Sequence, residues 1–233
     1  MSSCAIMQPT YLPWAGYFQL IAAVDQFVFL DDVQFERSSW QHRNKILLHG
    51  TEHMISIPTK RVPLRDALLH RMEICTIQNF KVQHWKILEH AYHKARHGAE
   101  ALQLVAQSYA TPSGGKLVNF TGQLIQTICG ALSISTPIAY ASEMQCSGQR
   151  SDHVAEICQH LQCGTYLSPQ GAASYLEEDS FVEKHGIELR LQNFKPKPYP
   201  QYKSKEFISH LSIMDVIANL GLSGARQYIR EQA

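Results

Sequence analysis

Within its first 32 residues the chain writes out a strand, a loop, a helix and a second strand. Cys4-Ala5-Ile6-Met7-Gln8 is a short apolar run fit for a buried strand. Pro9-Thr10-Tyr11-Leu12-Pro13-Trp14-Ala15-Gly16-Tyr17 follows as a loop, and residues 18–24 are apolar-rich and of helical length. Phe27-Val28-Phe29-Leu30 is a second strand that ends in Asp31-Asp32. This order is a βαβ unit, two parallel strands joined by a crossover helix. The loop after its first strand lies at the carboxyl edge of the sheet, where open α/β sheets bind ligands. A plain connector is polar. This one carries Tyr11, Trp14 and Tyr17 among rigid prolines, as the wall of a pocket requires.

Downstream, residues 33–44 are polar, aromatic and basic with no clean period, the mark of a functional loop. Residues 45–48, a turn at His49-Gly50 and residues 53–58 read as a β-hairpin. Residues 59–69 form a Pro- and Arg-containing loop, and residues 72–77 read as a further strand. Residues 80–97 have helical spacing, with Phe80, His84, Ile87, Leu88 and Ala91 on one face. Helix continues over residues 99–109. After the break at Thr111-Pro112-Ser113-Gly114-Gly115, residues 117–132 form an amphipathic helix with Leu117, Phe120, Leu124, Ile128 and Leu132 along one stripe. Residues 137–141 are a strand, and Ser151 caps a helix ending near Leu161. Tyr166-Leu167 is a short strand, residues 172–176 begin a helix, and residues 187–191 are a strand. Prolines keep residues 194–202 irregular, and residues 212–219 and 225–230 are terminal helices. The expected class is α/β: a single domain over residues 1–233, with a parallel-rich, Rossmann-like sheet. Flanks 1–79 and 133–233 build that sheet around a helical insertion at about residues 80–132.

A chain of 233 residues can bury a full core. With 21 basic and 20 acidic residues the net charge is +1, which argues against a broad nucleic-acid surface but leaves room for a local basic cluster. No apolar run approaches the roughly 18–20 residues that span a bilayer, and the N-terminal segment lacks the pattern of a secretory signal. The six cysteines are scattered without a C-x-x-C pair, so free thiols in a reducing cytoplasm are expected. The twelve histidines show no metal-ligand spacing.

Candidate site residues cluster near the presumed ligand edge. Asp31 and Asp32 suit a ribose, an amine or a metal, or else cap a turn; adjacent residues in extended chain point oppositely, so one of the two faces the pocket. Arg37, Arg43, Asn44 and Lys45 form the densest basic cluster, suited to phosphate or carboxylate, with a solvated face as the alternative. His42 is an acid–base candidate, or else one solvent-exposed histidine among the twelve. Gln8 reads a base or sugar amide, or caps backbone. Tyr11, Trp14 and Tyr17 wall a pocket and offer faces for a nucleobase or sugar, or fill the core. Gly148-Gln149-Arg150-Ser151-Asp152 opens a helix and is arranged to bind an anion through helix amides and Arg150, or to be an ordinary cap. Tyr199 and Gln201, in an extended loop, either lid the pocket or bridge to the last helices. No Ser-His-Asp order or G-x-S-x-G is present, which disfavours covalent catalysis.

Two resemblances follow from these residues. Trp14-Ala15-Gly16-Tyr17 is similar in placement to the His-x-Gly-His motif of nucleotidyltransferases and pantothenate-synthetase-like ligases. The glycine that lets a helix start approach phosphates is kept, while aromatics replace both histidines. Over nearly the whole chain the sequence resembles the WbqC-like family. The resemblance is carried by Gln8-Pro9-x-Tyr11-Leu12-Pro13-Trp14-x-Gly16-Tyr17-Phe18, by Asp25-x-Phe27-Val28-x-x-Asp31-Asp32-Val33-Gln34-Phe35, and by Trp40-Gln41-x-Arg43-Asn44-Lys45-Ile46. Tyr166-Leu167-Ser168, Ala173-x-Tyr175-Leu176, Phe181, Gly186-Ile187, Tyr199-Pro200-Gln201, Phe207 and Leu211-Ser212-Ile213-x-Asp215 continue it. The chain departs at Ser168-Pro169-Gln170-Gly171, where members tend to have Ser-Gly-Pro. It departs again at Val216-Ile217-Ala218-Asn219, which lacks the usual aromatic before the asparagine.

The resemblance implies a biosynthetic role, since members are found among genes for surface polysaccharide or specialised small-molecule synthesis. The expected activity is transfer of an acyl or aminoacyl group to an amine of a small sugar- or nucleotide-linked substrate. Asp31 or Asp32 would orient or deprotonate the amine, and Arg37, Arg43 and Lys45 would hold the anionic part. The cofactor would be a nucleotide or an activated acyl donor, a charged tRNA among them. The alternatives are a non-catalytic binding or scaffold protein of a biosynthetic complex and a metal-dependent hydrolase.

Overall fold

The computed structural model describes residues 2–77 and 79–230. The opening unit is β1 (Ser3–Met7), α1 (Ala15–Ala22) and β2 (Gln26–Phe29). β1 and β2 run parallel, from Cys4 beside Gln26 to Met7 beside Phe29. The irregular segment that follows leads to the hairpin β3 (Arg43–Leu48) and β4 (Thr51–Ser56), which forms a separate two-stranded sheet. Then come α2 (Phe80–Tyr92), α3 (Gly98–Ala110), α4 (Leu117–Ala131), β5 (Ile138–Tyr140), α5 (Ser151–His160) and β6 (Thr165–Ser168). The chain closes with α6 (Ala173–Glu178), α7 (Phe181–His185), β7 (Glu188–Leu191) and α8 (Ile213–Arg230).

The main sheet is parallel throughout, in the order β5-β2-β1-β6-β7. The expected parallel α/β sheet with a helical insertion is therefore what forms. Strand alternation explains its two dry faces. Ala5, Phe27 and Phe29 point to one face and pack with Phe18 and Ile21 of α1, Leu124 of α4 and Ile217 of α8. Cys4, Ile6, Val28 and Tyr166 point to the other and meet Val154, Ile157 and Cys158 of α5, with Leu176 and Phe181. From central β1 the chain first builds outward through β2 and β5, then returns to the opposite side for β6 and β7. The reversal lies between β1 and β6, the position where doubly wound sheets open a crevice at their carboxyl ends. No helix among the described residues is long and apolar enough to cross a membrane.

Several boundaries differ from the sequence expectation. The strand expected at residues 72–77 is reduced to single bridges, Thr59 with Ile74 and Glu73 with Lys116. Met72 and Ile74 are buried, but Ile77 at the end is 92% exposed and no neighbouring strand pairs with the run beyond these bridges. The helix expected through residue 97 ends at Tyr92, because the backbone turns at His97 to donate to the Ala218 carbonyl of α8. Ser151 is the first residue of α5 rather than its cap. Arg150 holds the capping position at φ 53, without a side-chain bond to the helix. The two terminal helices are one element bent at Gly221 (φ 72, ψ 172).

Candidate functional site

A cleft of about 630 Å³ opens at the carboxyl ends of β1 and β6. The β1–α1 loop contributes Thr10, Pro13 and Trp14 and the start of α1 contributes Tyr17; Trp40 comes from the approach to the hairpin, and Asn44 and Lys45 from β3. Residues 169–172 close one side, and Gln192, Phe194 and His210 close another. Trp14 is the central wall. Its ring meets Phe194 edge-on at 5.3 Å and His210 at 4.7 Å between centroids. Gly16 makes room for it, since a Cβ there would stand 2.3 Å from the indole ring. The glycine thus serves the tryptophan's own packing. Upstream, Leu12 sits in the left-handed region at φ 45, a strain of about 1–3 kcal/mol that survives only where neighbours hold it. Asn44 does so: its Nδ2 donates to the carbonyls of Tyr11 (3.2 Å) and Leu12 (2.9 Å). A smaller, more polar pocket of about 260 Å³ lies against residues 132–136 and Arg226, apart from the aromatic loop.

The fold brings some of the expected residues to this cleft and takes others away. Trp14, Tyr17, Asn44 and Lys45 line it. Tyr17 is almost fully buried and donates to the Gln8 carbonyl at 3.0 Å, while Lys45 pairs with Glu52 at 2.6 Å. Tyr11 does not line it. It is fully buried, with its hydroxyl between His84 Nδ1 (2.9 Å) and the Tyr109 hydroxyl. Tyr11→Phe is therefore expected to cost about 1–2 kcal/mol of stability by stranding the buried His84 nitrogen, with ligand binding unchanged; chemical denaturation and titration of the same preparation check this. Gln8 is half-buried, and its Oε1 accepts from Gln41 at 2.9 Å.

Asp31 is buried, accepting from the Ser142 amide (2.9 Å) and hydroxyl (2.7 Å), so it anchors the turn after β5 rather than facing a pocket. Burial, with Arg43 and Arg37 nearby, lowers the His42 imidazole to about 4. His42 is thus neutral near pH 7, packed against Phe35, with Nδ1 unpaired. Arg43 is half-buried and donates to the Ser38 carbonyl; Arg37 is exposed. Arg150 is also exposed, faces Glu178 and Asp179 (3.6 and 3.3 Å), and lies 5.9 Å over the Tyr175 ring. Its nearest charged neighbours are thus two carboxylates, in contacts open to solvent. Tyr199 and Gln201 are no lid: both donate to the buried Asp215, at 2.7 and 2.9 Å.

Asp32 is the carboxylate left available. It ends β2's run at the carboxyl edge and accepts from His153 Nε2 of α5 at 3.1 Å. The Asp32 side chain is 18% exposed and that of His153 is 11% exposed. The hydrogen bond to Asp32, opposed by burial, raises the imidazole's pKa. His153 Nδ1 is buried and unpaired, so Asp32 is the ring's one hydrogen-bond partner among the described residues. Among the described residues no group of three His, Cys, Asp or Glu side chains is placed to hold a metal ion.

The profile of the WbqC-like protein family matches residues 8–227. The chain belongs to the WbqC-like family. An uncharacterized protein of Mycobacterium tuberculosis is 32% identical over 232 residues, covering 99% of this chain and 98% of the relative. No solved structure matches significantly. In this WbqC-like protein the sequence motifs located the cleft's first wall but missed Gln192, Phe194 and His210 of its far side, and missed His153, the partner of Asp32 outside the cleft lining. His153 follows directly on the helix-opening segment at residues 148–152, and that adjacency was its only signal. The other three stand in irregular chain, where no periodicity marks a facing side.

Proposed function

We propose that this WbqC-like protein is a biosynthetic group-transfer enzyme that forms an amide on an amine of a nucleotide- or sugar-linked substrate. The observation that carries the reading is the aromatic-walled cleft at the switch point of the sheet. Its volume suits a small organic ligand. The faces of Trp14 and Trp40 suit a base or sugar ring, and Lys45 supplies positive charge at the wall. Asp32 stands at the same carboxyl edge, beside the cleft rather than in its lining, partly exposed and backed by His153. In the proposed step the amine nitrogen attacks the carbonyl carbon of an activated acyl or aminoacyl donor. Asp32 takes the amine proton, and the donor's oxygen or sulfur leaves with the electron pair of the broken bond. A charged tRNA or an acyl thioester meets that requirement.

One observation favours a second reading, a non-catalytic binding or scaffold protein. Asp31, Asn44, Tyr199 and Gln201 are all engaged in internal hydrogen bonds. A thermal-shift panel of nucleotides, nucleotide-sugars and coenzyme A thioesters separates the two, followed by mass spectrometry of each stabilising ligand incubated with acyl donors. At a hundredfold excess over Kd a ligand stabilises by about 2.7 kcal/mol, a shift of several degrees. Stabilisation with a product heavier by one acyl group supports the enzyme. Stabilisation without product supports the scaffold, and no stabilisation by any compound defeats the cleft as a site of this class.

A further inference from the structure

Gln192 follows β7 directly, and its amide nitrogen extends the ladder to the Ser168 carbonyl of β6 at 2.8 Å. Its side chain is buried against the first turns of α1, where Nε2 donates to the Gly16 carbonyl at 2.7 Å and to Gln19 Oε1. A backbone carbonyl only accepts, so the nitrogen of this amide must face Gly16. Both N–H bonds are then used, and the amide's orientation is settled by chemistry. Its Oε1 has no partner among the described residues, yet it is not among the sealed unpaired atoms. Gln192 lines the cleft on one side and a pocket of about 350 Å³ on the other. An acceptor fixed in direction and left open is what a binding site needs to read a donor group.

We infer that Gln192 is a specificity-determining residue of the cleft, its Oε1 accepting a hydrogen bond from a hydroxyl or amine on the ring of a sugar-linked substrate. The inference rests on the reading of the cleft given above. Gln19 is the internal control. Changing it breaks the same amide pair, but leaves Gln192 tied to Gly16 with Oε1 in place.

The test is quenching of tryptophan fluorescence, since Trp14 and Trp40 line the cleft. The probes are UDP-glucose, dTDP-glucose, GDP-mannose and the analogues of each that lack one ring hydroxyl. In the wild type, removal of one particular hydroxyl is expected to weaken binding roughly three- to tenfold, the worth of a neutral hydrogen bond. Gln192→Met is expected to bind the parent and that deoxy analogue equally, while Gln19→Met keeps the wild-type preference. Circular dichroism melts confirm that both variants are folded. Unchanged discrimination in Gln192→Met, or its equal loss in both variants, overturns the assignment of Gln192 and leaves the cleft standing. Failure of every probe to bind the wild type removes the cleft reading and this inference with it.

Discussion

Asp32→Asn is expected to lower turnover about 10²–10⁴-fold, the usual contribution of a positioned general base. The amide keeps the shape and can still accept from His153, so the fold should hold. The imidazole of His153 should return toward its ordinary range near 6.5 once the carboxylate is gone. This gives a readout separate from activity. The pair raises the imidazole's folded pKa, so its stabilisation is fully present below the unfolded value of about 6.5 and is lost as pH rises through the folded value. The stability advantage of wild type over Asp32→Asn should therefore shrink as the pH climbs above about 6.5. NMR titration of His153 and melts across that window measure both effects. Full turnover in Asp32→Asn would make the carboxylate a tether for α5 and nothing more.

Asp215→Ala is expected to destabilise the protein by about 3 kcal/mol, or about 6–12 °C in melting temperature for a chain of this size. Asp215 is completely buried. It gathers Tyr199 and Gln201 from the proline-bearing strap onto the start of α8, and truncation strands the Tyr199 hydroxyl and takes one acceptor from the Gln201 amide, which keeps the Ile208 carbonyl. Burial pushes its carboxyl up to about 6, against the hydrogen bonds that favour the charged form. Because the folded pKa lies above the unfolded one, ionisation penalises the folded state. The stability advantage of wild type over Asp215→Asn should fall between about pH 4 and pH 6, by an amount on the order of 3 kcal/mol, and level off above that. A flat difference across that range would mean that water reaches the carboxylate.

Periodic stretches of the chain were legible in the sequence. β1, α1 and β2, the hairpin, and the stripe from Leu117 to Ile128 on α4 all follow from apolar spacing, and they dictate a parallel sheet with a helical insertion. The carboxyl-edge loop pointed to the cleft, because topology places it there. Individual side chains were harder to read. Tyr11 and Trp14 stand three residues apart in one aromatic loop, yet only Trp14 reaches the cleft. The left-handed turn at Leu12, held by Asn44 from the hairpin, sits between them. Asp31 and Asp32 are adjacent, and alternation predicts opposite directions without saying which one is buried. Ser142 decides it, from about 110 residues away. Arg150 opens α5, and its acidic neighbours Glu178 and Asp179 come from α6 and the residue after it, which no local pattern announces.

The pairing of β1 with β6 has a consequence during synthesis. Ser3 lies beside Thr165, about 160 residues later in the chain. At roughly 5–20 residues per second the ribosome takes about 10–30 s to make that partner. Through that interval one side of β1 is a bare, apolar strand edge, the kind that recruits other nascent chains. The residues that close the cleft from Pro169 to His210 emerge later still. A polysome carrying this message therefore displays many half-built sheets at once, and the yield of active protein should respond more steeply to holdase chaperones and translation speed than to the stability of the finished fold.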